Sequence, residues 1–181
     1  MQQLNHCEII SKVKQFGAFN ASIINTSNIS FEPEFRKMCE SNSCGMYGKC
    51  WTCPPHVGDI NTLIKQAKSY NYALVYQTVD TLEDSYDFEG MQKAGQKINK
   101  LTRKIQNEHI FQGDCLHLGA GGCRVCKTCS KKNNEPCRFP DKAISSLEAY
   151  GINVSLLANA CGMNYINGIN TVTYFGAVFF N

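Results

Sequence analysis

The sequence predicts a mixed α+β fold, in which a central mixed sheet with flanking helices carries two cysteine-rich loops. Three observations lead to this class. Apolar residues recur at helical spacing through residues 91–105. Apolar runs at residues 72–79 and 171–180 are typical of buried strands. Eight of the eleven cysteines fall in two short stretches, at residues 39–56 and 121–140.

The N-terminal half is predicted to contain three helices and a short strand. A helical pattern of apolar residues covers about residues 2–15, and a strand is predicted over residues 21–24. Pro33 is predicted to begin a short helix over residues 34–39. Asp59 is predicted to cap the next helix, because an aspartate side chain accepts hydrogen bonds from the free N–H groups of the first turn. The apolar face of that helix is Ile60, Leu63, Ile64, Ala67 and Tyr70.

The C-terminal half is predicted to contain the longest helix and the closing strand. The helix covers about residues 88–111, and a short strand follows over residues 115–118. Pro140 and Gly151 have the positions expected at the two ends of another short helix. A further strand is predicted over residues 152–157, before the closing strand named above. The elements do not alternate as in a regular βαβ fold.

The loop at residues 121–140 reads GGCRVCKTCSKKNNEPCRFP. Two residues separate each neighbouring pair of its first three cysteines, and a fourth follows after seven more. This spacing lets each thiolate reach a different iron, so it predicts a 4Fe–4S cluster. A zinc site is the alternative. Zinc would need only one CxxC pair from this loop and would take its other two ligands from elsewhere, so the middle cysteine would be surplus. The third alternative is no metal. The predicted ligands are Cys123, Cys126, Cys129 and Cys137.

The charges around this loop also favour an anionic cluster. Residues 119–142 hold six basic and two acidic side chains, a net charge of +4. Cations near thiolate-bound iron stabilise its negative charge, so Arg124 and Arg138 are predicted to lie close to the metal. A solvated basic loop that contacts RNA is the alternative. No aromatic residues alternate with these charges, so a base-stacking platform is not predicted here.

The loop at residues 39–56 holds a second group of four cysteines, whose spacing matches no single metal template. A metal site is predicted here as well. The alternative is that Cys50 and Cys53 form a bare dithiol or a pair of buried thiols. Tyr47 and His56 are candidates for groups close to the metal. The cysteines are Cys39, Cys44, Cys50 and Cys53.

The composition indicates one globular domain over residues 1–181, with 43% hydrophobic and 18% charged residues. A net charge of +3 is too small to predict a nucleic-acid or membrane partner. The N-terminus lacks the pattern of a signal peptide, and no apolar run is long enough for a transmembrane helix. An odd number of cysteines without an export signal predicts a reducing, cytoplasmic location with thiolate–metal chemistry.

With both cysteine groups in place, the chain resembles a prokaryotic family of predicted metal-binding proteins of unknown function (domain of unknown function 2284). The resemblance covers nearly the whole chain and implies metal without implying a reaction. It is carried by Cys39, Cys44, Tyr47-Gly48, Cys53-Pro54-Pro55, Gly121-Gly122-Cys123-Arg124, Cys126, Cys129, Cys137-Arg138, Pro140, Ser146, Glu148, Ala149, Gly151 and Val154.

The chain departs from the family pattern at three places. The family has Arg-Pro where this chain has Ile144-Ser145, and Asp where it has Asn153. Cys50 falls where the family has another residue type. The resemblance therefore implies three family-type cysteines in the first loop, which are Cys39, Cys44 and Cys53.

Three functions follow as alternatives. The first is an electron-transfer or redox accessory protein with one or two 4Fe–4S clusters and a redox partner protein. The second is an iron–sulfur enzyme that binds a small-molecule substrate at an open iron of a three-cysteine cluster, for Lewis-acid or sulfur chemistry. Its acid–base groups would come from Glu148, His56 or Tyr47. The third is a zinc-stabilised binding module. The oligomeric state stays open.

Overall fold

The computed structural model describes residues 5–181, and a five-stranded mixed sheet lies at its centre. The sheet order is β1-β2-β5-β3-β4, in which β3 and β4 are parallel and the other neighbours antiparallel. The predicted α+β class with a central mixed sheet is thereby confirmed. The strands are β1 (Asn20–Asn25), β2 (Tyr72–Thr81), β3 (Leu116–Gly119), β4 (Ser145–Ser146) and β5 (Thr171–Phe180).

The two predicted apolar strands form the middle of this sheet. β2 and β5 pair over their whole length, from Tyr72 opposite Phe180 to Thr81 opposite Thr171. Successive side chains of a strand point to opposite faces, so a strand buried on both faces is mostly apolar. β2 is buried in this way over residues 73–78, of which only Gln77 and Thr78 are neither apolar nor aromatic.

Helices cover both faces of the sheet. On one face, Leu74 and Tyr76 of β2 belong to a core with Val13 and Ile98. On the other face, their neighbour Val75 belongs to a core that includes residues from the C-terminal third of the chain. The helices are α1 (His6–Gln15), α2 (Phe35–Glu40), α3 (Ile60–Lys68), α4 (Phe88–Asn107) and α5 (Val154–Ala160).

Side-chain caps begin most of these helices. Asp59 accepts a hydrogen bond from the Thr62 N–H and so caps α3 as predicted. Asn5 caps α1, and the part of the predicted helix before it, residues 2–4, lies outside the described residues. The helix predicted to reach residue 111 ends at Asn107, because His109 adopts a left-handed conformation (φ 46°) that a helix does not accommodate.

The predicted helix between Pro140 and Gly151 is wrong. Two short 3₁₀ turns, Pro140–Lys142 and Glu148–Tyr150, lie on either side of β4 instead. Ser145 and Ser146 pair with Leu118 and Gly119 of β3, which gives the backbone an alternative to helical hydrogen bonds. This pairing joins residues that are far apart in the sequence, so a local sequence pattern does not predict it.

The predicted strand over residues 152–157 is also wrong, because α5 begins within it. Asn153 caps the helix by accepting a hydrogen bond from the Leu156 N–H. Only Ile152 keeps a strand-like contact, an isolated bridge to Phe31. The short apolar run is compatible with a strand and with a helix, and the Asn153 cap favours the helix. Within residues 5–181, no helix is long and apolar enough to cross a membrane.

Candidate metal centre

The two cysteine-rich loops lie against each other beside the β3–β4 edge of the sheet. The Cys123 N–H donates to the Thr52 hydroxyl at 3.3 Å. The Trp51 indole N–H donates to the Glu135 carbonyl at 2.9 Å, and the Lys131 ammonium lies 4.8 Å from the centre of the Trp51 ring. β3 and β4 are parallel, so their C-terminal ends lie at the same end of the sheet. The second loop follows β3 and Glu148 follows β4, and both therefore lie at that end.

Four thiols of the second loop line one small cavity of about 20 Å³, which we call the four-cysteine cavity. Cys50 of the first loop lines it as well. Its other walls include the apolar side chains of Val125, Phe139 and Ala143. Among the described residues, no carboxylate or imidazole lines this cavity. Its potential side-chain donors are therefore these thiols and the hydroxyls of Thr52 and Ser130. The four loop thiols are those of Cys123, Cys126, Cys129 and Cys137.

Three thiols of the first loop line a separate cavity of about 340 Å³, the three-cysteine cavity. These are the three cysteines that the family resemblance implies. Tyr47, Ser146 and Glu148 also line it, and Gly121-Gly122 forms the wall next to the second loop. A β-carbon on Gly122 would lie 3.3 Å from the Cys53 sulfur, so glycine permits the close approach. The three thiols are those of Cys39, Cys44 and Cys53.

Cys50 lies at the boundary between the cavities and is only 1% exposed. Its sulfur lies 3.3 Å from the Thr52 hydroxyl oxygen. Hydrogen bonding from the Cys53 thiol, with further contributions from Thr52 and Cys129, lowers the pKa of Cys50 to about 5. The same shared hydrogen bond raises the pKa of Cys53. Cys50 thus contacts one predicted ligand from each loop.

Cys39 lies close to one cation and one anion. Burial raises the pKa of the Cys39 thiol; the Arg36 guanidinium opposes this effect, and the negative charge of Glu148 adds to it. Arg36 precedes Cys39 by three residues on α2, so both side chains lie on one helix face. Within residues 5–181, the buried Nε of Arg36 has no hydrogen-bond partner.

The geometry of the thiols bears on which metal they fit. Within residues 5–181, no three histidine, cysteine, aspartate or glutamate side chains are arranged to hold a single metal ion. A tetrahedral zinc ion with Zn–S bonds of roughly 2.3 Å requires sulfurs about 3.8 Å apart. An iron–sulfur cluster takes each thiolate on a different iron and so requires no convergence on one point. The four loop thiols that line the four-cysteine cavity supply the number of ligands that such a cluster takes.

Three of the remaining predicted site residues lie at the periphery, and two line a cavity. His56 is exposed and packs edge-on against Trp51 at 5.5 Å, and it lines neither cavity. Arg124 is also exposed. The Arg138 guanidinium donates a hydrogen bond to the Thr128 carbonyl, which links the C-terminal end of the second loop to its middle. Tyr47 and Glu148 line the three-cysteine cavity.

Sequence reasoning missed three contributors to the site. Thr52 joins the two loops through its hydroxyl, and its position between two cysteines was the available signal. Arg36 was detectable from its i,i+3 spacing to Cys39. The position of Cys50 in the four-cysteine cavity had no local signal, because Cys50 is closer in sequence to Cys53 than to the second loop.

Comparison with known protein families matches residues 22–180 to the family described as predicted metal-binding protein (DUF2284). The chain belongs to this family. Its description agrees with the metal-binding class predicted from the two cysteine groups. The family description does not specify a metal or a reaction. Comparison with curated proteins and with solved structures finds no match.

Proposed function

We propose that this member of the family is an iron–sulfur protein whose second loop holds a 4Fe–4S cluster used in electron transfer. The observation that carries the proposal is the four-cysteine cavity, lined by all four thiols of the loop. Their spacing of two, two and seven residues suits a cluster. The proposed ligands are Cys123, Cys126, Cys129 and Cys137.

The surroundings of this cavity support electron transfer. Four protein ligands fill the outer coordination position of every iron, so substrate has no place to bind there. Apolar side chains form part of the wall around the partly buried thiols, and the net charge of +4 in residues 119–142 would offset the negative charge of the cluster. We propose that electrons pass to or from a redox partner protein in the cytoplasm.

Zinc is the competing occupant. A structural zinc site stabilises a loop without changing its redox state, and four cysteines are a common zinc ligand set. The cysteine spacing favours the cluster, since one CxxC pair from this loop would suffice for zinc and the middle cysteine would be surplus. The two occupants differ in colour, because thiolate-bound iron absorbs visible light and zinc does not.

Anaerobic purification with iron, sulfide and zinc analysis tests the proposal. We expect brown protein in which a Cys126→Ser variant loses about four iron atoms per chain, the content of one 4Fe–4S cluster. A Cys7→Ser variant is the matched control, because Cys7 is exposed on α1 and lines neither cavity. The control should keep its iron. Colourless wild-type protein with stoichiometric zinc contradicts the proposal.

A further inference from the structure

The three-cysteine cavity has the features of a second centre that is open to a small molecule. We propose that Cys39, Cys44 and Cys53 hold a second 4Fe–4S cluster, one iron of which is left free to bind a thiol or hydroxyl compound. The proposal rests on the proposed function and extends it, since it adds a binding site to an electron-transfer protein.

The number of thiols is the first argument. Cys50 is the other cysteine of the first loop, and it lines the four-cysteine cavity instead of this one. A 4Fe–4S cluster with three protein thiolates has one iron without a protein sulfur. The three thiols also share one cavity, since Cys39, Cys44 and Cys53 all line it.

The size and lining of the cavity are the second argument. A volume of about 340 Å³ is at the lower end of the range of small-molecule sites, which are roughly 300–1,000 Å³. Phe35, Met38, Met46 and Pro54 supply apolar walls, as such sites require. Met38 is 65% exposed at the rim and can move aside as a ligand enters. The ligand therefore has an apolar body.

Glu148 identifies the polar end of the ligand. Its carboxylate is partly buried in this cavity, and no hydrogen bond or ion pair from it is found within residues 5–181. A carboxylate in this position accepts a hydrogen bond from an S–H or O–H group and repels an anion. A thiol or hydroxyl that binds a metal through its lone pair becomes a stronger hydrogen-bond donor. The Glu148 carboxylate would accept that hydrogen bond, and no electron would be transferred.

Iron analysis of anaerobically reconstituted full-length protein tests the number of centres. Two 4Fe–4S clusters correspond to about eight iron atoms per chain. We expect about eight in wild type and in Cys7→Ser, and about four in Cys44→Ser, in Cys39→Ser and in Cys126→Ser. Retention of the other four atoms shows that each variant has folded.

Electron paramagnetic resonance of the reduced protein with added 2-mercaptoethanol tests the free position. We expect the thiol to change the spectra of wild type and Cys126→Ser and to leave that of Cys44→Ser unchanged. The Glu148→Gln variant should keep about eight iron atoms. It should need at least roughly tenfold more thiol for the same change, because the carboxylate that accepts the hydrogen bond is lost.

The possible outcomes separate the two proposals. About four iron atoms in wild type, all lost in Cys126→Ser and kept in Cys44→Ser, would overturn the second centre and leave the proposed function intact. Wild type without iron would overturn both. Loss of four iron atoms in Glu148→Gln would show that the Glu148 carboxylate is an iron ligand. No iron of the second cluster would then have a free coordination position.

Discussion

The Cys53 N–H donates a hydrogen bond to the Cys50 carbonyl at 3.2 Å, although the side chains of the two residues line different cavities. The segment between them is the wall that the two sites have in common. The Thr52 hydroxyl lies 3.3 Å from the Cys50 sulfur and also accepts from the Cys123 N–H. A thiol that contacts Cys53 on one side and Cys129 on the other can tune both centres without binding either metal.

Replacing Cys50 by alanine should leave the iron content unchanged and lower the reduction potentials of both centres. When Cys53 and Cys129 bind metal as thiolates, the Cys50 thiol is the group that donates hydrogen bonds to them. Hydrogen bonds to the thiolate ligands raise the reduction potential of a cluster, so the loss of these bonds lowers it. Iron analysis and anaerobic redox titration measure the two effects. A Cys7→Ala control should change neither, and loss of half the iron in Cys50→Ala would identify Cys50 as a ligand.

Metal removal should expose the second loop to proteases before the rest of the chain. Residues 121–140 contain few large apolar side chains, so the loop buries too little surface to order itself. We expect trypsin to cut metal-free protein first after Lys127, Lys131 or Lys132. Mass spectrometry of early fragments locates the cuts. Lys100 within α4 is the internal control, and cleavage there before the loop contradicts the prediction.

Two glycines should respond to alanine in opposite directions. A β-carbon on Gly176 would lie 2.6 Å from the ring of Tyr76, its cross-strand partner, which is fully buried. We expect Gly176→Ala to lower the free energy of unfolding by about 2–3 kcal/mol through overpacking. A β-carbon on Gly95 in α4 would meet only Tyr174, at 3.7 Å. Gly95→Ala should raise the free energy of unfolding by about 0.5–1 kcal/mol through helix propensity.

Urea unfolding under anaerobic conditions measures both changes, and each variant serves as the control for the other. Equal destabilisation by the two substitutions would contradict the steric argument. Stabilisation by Gly176→Ala would show that the strands move apart to accept the methyl group.

His117 should make the protein less stable in mild acid. Burial, with a smaller effect of His109, lowers the pKa of His117 to about 4 from an ordinary value of 6.5. The unfolded chain therefore binds a proton that the folded chain does not, and stability falls as the pH drops from about 6.5 to about 4. The expected loss between about pH 7 and about pH 4.5 is roughly 2–3 kcal/mol. The Cys115 sulfur, 3.3 Å from Nε2, also faces this ring.

Urea unfolding at the two pH values, with His117→Gln beside wild type, tests this effect. The variant should lose less stability on acidification than wild type does. His6→Gln is the control, because His6 is exposed on α1, and it should follow wild type. The same loss in His117→Gln and wild type would assign the acid sensitivity to other groups.

Long periodic segments were predictable from the sequence, and short segments with distant partners were not. The central strands and α4 extend over many residues, so their apolar pattern outweighs local ambiguity. β4 contains two residues and exists because β3 pairs with it. α5 begins at an asparagine cap inside an apolar run, where the strand pattern and the helix cap compete.

The sequence by itself determined the α+β class, the central strands and both groups of cysteines, because periodicity and cysteine spacing are local properties of the chain. Only the tertiary structure decided how the cysteines are divided between two cavities. Cys50 and Cys53 are three residues apart yet line different sites, because the wall formed by their segment is completed by Gly122 and Cys123 of the other loop. Glu148 reaches the three-cysteine cavity because β4 lies parallel to β3, and no local pattern encodes that pairing.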